Sequence, residues 1–185
     1  MSYNCCMSEL DLNKYLKFLS NEDYYEEWLD IVKPILLSDE FQKRLKFKHH
    51  HHSVFFHCVL VSYGSFRFGL KHNVDSYNCA IAGLLHDFYP NPWQYSKDLE
   101  KMDSKYIKNL EEKKKLFEKH GFTHAREALE NVNNYFPEYS NERIDNAILR
   151  HMFPLNIAIP RYKESWVVTL QDKIVSVKEL LKMYD

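Results

Sequence analysis

Cys79-Ala80-Ile81-Ala82-Gly83-Leu84-Leu85-His86-Asp87 is the stretch on which the reading of this chain turns. Asp75-Ser76 ahead of it is a helix-capping signal, and Pro90-Asn91-Pro92 behind it cannot continue a helix. The residues before His86 are apolar or small on every side, so the segment reads as a helix at the centre of a domain. Ala80, Ala82 and Gly83 let neighbouring helices approach closely. A helix of this kind ends on two polar residues only for a reason. Consecutive helical side chains point about 100° apart, so His86 and Asp87 can clasp one ion only near a helix end, where they lie.

Outward from this centre the pattern is helix after helix. Leu10, Leu12, Tyr15, Leu16, Phe18 and Leu19 form a short amphipathic segment. Asn21 is expected to cap a second helix ending before Pro34, and Ser38 a third that carries Phe41 and Leu45. Ser53 caps a long apolar helix with Phe56, Val59, Leu60, Tyr63 and Phe66 inward, expected to stop at Gly69. Beyond the central helix, Thr123 caps one carrying Ala125, Ala128, Leu129 and Val132, and Asn141 opens another with Ile144, Ala147 and Ile148 inward, ending at His151. The last helix is expected from about Glu164 to Tyr184, with Val167, Leu170, Ile174, Val177 and Leu181 as its buried stripe. Residues 91–120 are heavily charged. They read as a solvated helix face, or as a flap over a site. The expected fold class is all-α, one domain over 1–185, with helices of 1–48 packed on a core of 49–185.

Composition agrees. Four Gly and six Pro in 185 residues suit helices better than sheets and turns. A net charge of -1 recruits neither nucleic acid nor an anionic membrane. Cys5, Cys6, Cys58 and Cys79 show neither metal-ligand spacing nor a disulfide framework. No leader peptide and no membrane span is read, so the expected location is the reduced cytoplasm. Ten His are unusual. The run His49 to His52 reads as native, with His50, His51 and His52 exposed and fortuitous.

Several polar residues stand where a helix core should be apolar. His57 interrupts Val54-Phe55-Phe56 and Cys58-Val59-Leu60, His151 ends an amphipathic helix, and Asp172 lies between Val167-Val168 and Ile174-Val175. A buried carboxylate costs several kcal/mol unless paired or bound to a cation. Singly, each is more often a satisfied core residue or a solvent-facing one. Together with His86 and Asp87 they form a nitrogen and oxygen shell suited to octahedral Mn, Fe, Co or Ni ahead of tetrahedral Zn.

At this point the sequence resembles the HD superfamily of metal-dependent phosphohydrolases. The likeness rests on His57, then Ala82-Gly83-Leu84-Leu85-His86-Asp87, then Gln171-Asp172-Lys173, and covers residues 49 to 178. It implies a helical domain with a metal held by His57, His86, Asp87 and Asp172. Binuclear members add two His in between, which His124 and His151 match. His120, before Gly121, competes with His124 for that place and is otherwise expected beside it as a catalytic group. The chain is also similar to small single-domain HD proteins of Gram-positive bacteria, which share His49, Ser53, His57, His120 to His124 and the late Pro160-Arg161-Tyr162. The GYP motif of the cyclic-dinucleotide enzymes is absent.

The resemblance implies hydrolysis of a phosphoester of a nucleotide or other small metabolite at one or two divalent transition metals. Asp87 would bridge two ions. Lys173 is a catalytic candidate, and His49, Ser53, Arg150 and Arg161 are candidates for substrate binding. Tyr162, Trp93 and Tyr95 are candidates to stack on a base, with packing as their default. A diiron oxygenase and a metal-binding signalling module remain open as alternatives, and a homodimer is compatible with everything above.

Overall fold

The computed structural model of the chain describes residues 7–49, 52–90 and 124–184. The charged stretch 91–120, with Trp93, Tyr95 and His120, lies outside them, as do Thr123, Cys5, Cys6, His50 and His51, and the side chain of His49.

Apart from an antiparallel pair of two-residue strands, β1 (Lys48–His49) and β2 (His52–Ser53), the described chain is helical. The helices are α1 (Glu9–Tyr15), α2 (Tyr25–Leu36), α3 (Asp39–Gln42), α4 (Val54–His72), α5 (Ser76–Leu85), α6 (residues 124–135), α7 (Glu142–Arg150) and α8 (Lys163–Leu180). This is the expected all-α class.

The starts of these helices are local chemistry. Ser8 and Asp11 form a reciprocal capping box on α1. Ser38, Ser53, Asp75 and Asn141 each accept a first-turn backbone N–H with the side chain, satisfying donors that a helix leaves orphaned.

α5 is the hub. Every residue from Asn78 to Leu85 is buried, and α2, α4, α7 and α8 all pack on it. The closest approach is at Gly83, where a Cβ would lie 2.9 Å from the Ser62 Cα and 3.1 Å from the Val61 carbonyl oxygen of α4. A buried relay pins the same crossing. Trp28 Nε1 of α2 donates to Ser62 Oγ at 2.9 Å, and Ser62 Oγ donates to the Ala80 carbonyl at 2.7 Å. Backbone cannot retreat as a side-chain tip can, so Gly83→Ala is expected to cost about 1–3 kcal/mol through overpacking. Thermal denaturation should show a drop on the order of 5 °C; an unchanged melting temperature would refute the close crossing.

Four expectations about boundaries and faces need correcting. α2 begins at Tyr25, entered through Tyr24 in the left-handed region at φ 63°, without a side-chain cap from Asn21. It then runs through Pro34 to Leu36, because burial of Ile35 and Leu36 holds its final turn in place. α4 passes Gly69 and ends at His72 with Asn73 as its left-handed cap. Gly69 serves packing instead, since a Cβ there would lie 2.9 Å from the Ser76 Cα.

The fourth correction concerns α8. Val167 is buried as expected, but Leu170, Ile174, Val177 and Leu181 are exposed. The inward face carries Ser165, Val168, Thr169, Asp172, Val175 and Glu179. The helix is rotated so that its acids, not its leucines, reach the interior.

Candidate metal centre

Four elements deliver the imidazoles. His57 lies in the first turn of α4, His86 is the C-cap of α5, His124 opens the described part of α6, and His151 is the C-cap of α7. Asp87 follows His86 directly, and Asp172 comes from the middle of α8. All six are buried, none above 8% exposed.

Their donor atoms converge. His57 Nε2 lies 3.2 Å from Asp172 Oδ1, and His86 Nε2 lies 3.8 Å from the same oxygen and 3.7 Å from Asp87 Oδ2. The other oxygen, Asp87 Oδ1, is 3.7 Å from His124 Nε2 and 3.6 Å from His151 Nε2. His124 Nε2 and His151 Nε2 are 3.0 Å apart. Two triads able to hold a metal result, His57–His86–Asp87 and Asp87–His124–His151, each with ligand atoms within 4.8 Å of one another. Asp87 belongs to both and turns one oxygen toward each.

The hydrogen bonds behind the rings decide which nitrogen faces inward. His86 Nδ1 donates to the Gly83 carbonyl at 2.8 Å and His151 Nδ1 to the Ile148 carbonyl at 2.7 Å. A carbonyl only accepts, so the proton of each neutral ring sits on Nδ1 and Nε2 presents a bare lone pair. Burial and the neighbouring His keep His151 neutral, its pKa pushed down to about 3; burial likewise lowers that of His86. His86 Nε2 and Asp87 Oδ1 are buried without a hydrogen-bond partner. A buried acceptor left unsatisfied costs about 1–3 kcal/mol, and a cation among these atoms removes that cost. The donor set fits a divalent metal.

His57 is held differently. Its Nδ1 meets Glu179 Oε2 at 2.9 Å, so the ring lies between two carboxylates of α8, Asp172 and Glu179. Burial pulls its pKa down, but those two partners outweigh burial and raise it to about 10. In the metal-free chain a proton thus occupies the place at Nε2 that a metal would take. Burial also works to raise the carboxyl pKa of Asp87, and the surrounding imidazoles reverse this, holding it well below the usual carboxylate range. Asp172 is held low as well, against burial, mainly by its hydrogen bond with His57.

The backbone after Asp87 is pinned by two residues that the sequence reading passed over. Asn131 Nδ2 donates to the Phe88 carbonyl at 2.8 Å, and Arg44 donates to the Tyr89 carbonyl at 2.7 Å. Arg44 is itself buried, with its guanidinium 4.0 Å above the Phe88 ring. Glu179 is the third residue missed. Spacing carried a signal for two of them: Glu179 lies seven residues from Asp172, and Asn131 seven from His124, which in each case returns to the same helix face.

The remaining candidates are placed as follows. Lys173 Nζ donates to the His151 carbonyl at 3.0 Å and to Asp172 Oδ2 at 3.2 Å, so its charge stands at the rim of the centre. Arg150 is half-buried beside His151, with its Nε lacking a partner. Ser53 spends its hydroxyl on the N-cap of α4. Arg161 is exposed and uses its backbone N–H to bind Asn146 Oδ1 at 3.0 Å. Tyr162 donates to Glu142 and lies under the Arg143 guanidinium. No helix among the described residues is long and apolar enough to cross a membrane.

No curated protein and no solved structure matches this chain. A family profile described as HD domain does, over residues 54–177, from the first turn of α4 to near the end of α8. That span takes in every residue of the centre except Glu179. The chain belongs to the HD domain family, a superfamily of metal-dependent hydrolases, and its His and Asp side chains form a cluster that could hold the metal.

Proposed function

We propose that the chain hydrolyses a phosphoester of a small metabolite or nucleotide at a two-metal centre. One ion would be held by His57, His86, Asp87 and Asp172, the other by Asp87, His124 and His151. The observation that carries this reading is the placement of Asp87, one oxygen toward His86 and the other toward His124 and His151. A carboxylate arranged this way could serve two ions at once. Nitrogen and oxygen donors together favour Mn, Fe, Co or Ni over Zn.

Divalent metal at such a centre supplies Lewis acidity to a phosphoryl oxygen and lowers the pKa of water toward neutrality. The protein's own groups do the rest. His86 and His151 hold their Nδ1 protons on backbone carbonyls and keep Nε2 aimed inward before any ligand arrives. Lys173, fixed on Asp172 and His151, places a cation at the rim where a phosphate would enter. Arg150, next in sequence to His151, is the second cation offered there.

The test is turnover of p-nitrophenyl phosphate and bis-p-nitrophenyl phosphate by chain freed of metal and reloaded with Mn, Co, Ni or Fe(II). Metal-dependent release of nitrophenol, lost on chelation and restored on reloading, is expected. Full metal loading without hydrolysis of either ester or of a panel of nucleotides would overturn the reading.

A further inference from the structure

α5 ends at Leu85, and Asp87 stands one residue beyond its C-cap, His86. Phe88 N–H still reaches the Leu85 carbonyl at 3.1 Å, but after that the chain leaves the helix. The direction of the Asp87 carboxylate therefore follows a short stretch of irregular backbone. What fixes that stretch determines how the ligand common to both triads is aimed.

Much of the fixing comes from the N-terminal part of the chain. α3 and the 3-10 turn that follows it, Lys43–Lys46, lie against the two residues after Asp87. Phe41 stacks on Phe88 with ring centroids 6.0 Å apart, and Phe47 on Tyr89 at 6.3 Å. Arg44 engages both residues. Its guanidinium lies 4.0 Å from the centroid of the Phe88 ring and donates to the Tyr89 carbonyl at 2.7 Å. The other terminal nitrogen donates to the Glu40 carbonyl, which ties the fork to α3.

This is a costly way to fill a core position. Arg44 is 1% exposed, and burial pulls its pKa down to about 10. An apolar side chain would fill the same space without bringing a charge out of water. A planar fork, however, can bond carbonyls with its edge while its face lies on a ring. The feature that distinguishes arginine here is its simultaneous hold on Phe88 and Tyr89.

We propose that Arg44 is a positioning residue of the metal centre, holding Phe88 and Tyr89 so that Asp87 keeps one oxygen toward each triad. The residue lies ahead of the span that matches the HD domain profile, which begins at residue 54. The N-terminal helices thus do more than cover the core: through Arg44 they help to aim the shared ligand. Asn131 of α6 holds the neighbouring carbonyl, that of Phe88. The inference rests on the metal centre proposed above and not on the reaction assigned to it.

Co(II) binding by the full-length chain against a competing chelator tests this, with thermal melts of metal-free and loaded chain alongside. Arg44→Met keeps an unbranched stem and removes the fork. Its Co(II) affinity should fall by about 10-fold, and loading should raise its melting temperature less than that of the wild type, with helical dichroism retained. Arg44→Lys keeps the charge but not the planar fork; it should also bind more weakly, and it decides the matter if the methionine variant does not fold. Trp28→Phe breaks the bond to Ser62 Oγ and controls for lost stability alone. It should melt lower without metal yet bind Co(II) as the wild type does. Wild-type affinity in a folded Arg44 variant would overturn the proposal, as would an equal loss of affinity in Trp28→Phe. Wild-type chain that takes up no Co(II) would overturn it together with the centre. Hydrolysis does not enter the result, so failure of the assigned reaction is told apart from failure here.

Discussion

Asp87→Ala is expected to empty both halves of the centre. Its two oxygens are the one ligand group common to the triads, 3.7 Å from His86 Nε2 on one side and 3.6–3.7 Å from His151 and His124 on the other. The substitution leaves the second triad with two imidazoles and no carboxylate to balance a dication. It leaves the first with Asp172 alone. Loss of a group one bond removed from a metal commonly costs 10- to 100-fold in affinity or activity, so loss of a shared ligand should exceed about 100-fold. Elemental analysis should fall from near two equivalents per chain to near none, and hydrolysis should fall with it. Helical content should hold, because Leu84, Leu85, Phe88 and Tyr89 keep their buried places around the site. Retention of one full equivalent would show that Asp87 serves a single ion and would reduce the centre to a mononuclear one.

The second large effect is expected at Glu179, which touches no metal in this arrangement. It is fully buried, and it fixes His57 by accepting from Nδ1 at 2.9 Å. A carboxylate behind a ligating imidazole sets the tautomer and ring orientation and makes the inward nitrogen more basic. Glu179→Ala should therefore weaken the His57 site by about 10- to 100-fold, with little effect on the His124–His151 site. Glu179→Gln can still accept the Nδ1 proton but lacks the charge, so its loss should be intermediate. Titration with Mn or Co against a competing chelator checks this. Wild-type should fill two sites over a narrow range, and the alanine variant should fill one site early and one late. Two sites of wild-type affinity in Glu179→Ala would remove Glu179 from the account of the centre.

The two residues differ in how visible they are beforehand. Asp87 declares itself in sequence, because a carboxylate directly after Leu84-Leu85-His86 is anomalous at the end of a wholly apolar helix. Glu179 does not. In the sequence it is one charge near the end of a helix whose leucines and valines seem to define the inward stripe. That apparent stripe misled about α8 as a whole. Hydrophobic periodicity registers where apolar residues recur, but a helix buries the face that gives the lowest total free energy. Here the inward positions of α8 go to Asp172 and Glu179, both against His57, while Leu170, Ile174 and Val177 are exposed.

What the sequence by itself determined is local in origin. Capping residues Ser38, Ser53, Asp75 and Asn141 start their helices wherever the rest of the chain lies, because each bonds a backbone N–H within three residues. The all-α class, the central place of α5 and the anomaly of His57, His86, Asp87, His151 and Asp172 follow from patterns of this range, whereas His124 was offered only by the likeness to binuclear HD proteins. The tertiary structure alone decided three further matters: the rotation of α8, the pairing of His57 with Glu179 122 residues away, and the grip of Arg44 and Asn131 on the backbone behind Asp87. Each depends on burying a charge or a carbonyl against a partner remote in sequence. Spacing can put such a residue on the right helix face, as for Glu179 and Asn131, but it cannot name the partner, since the energy of the burial exists only once both groups have left water together.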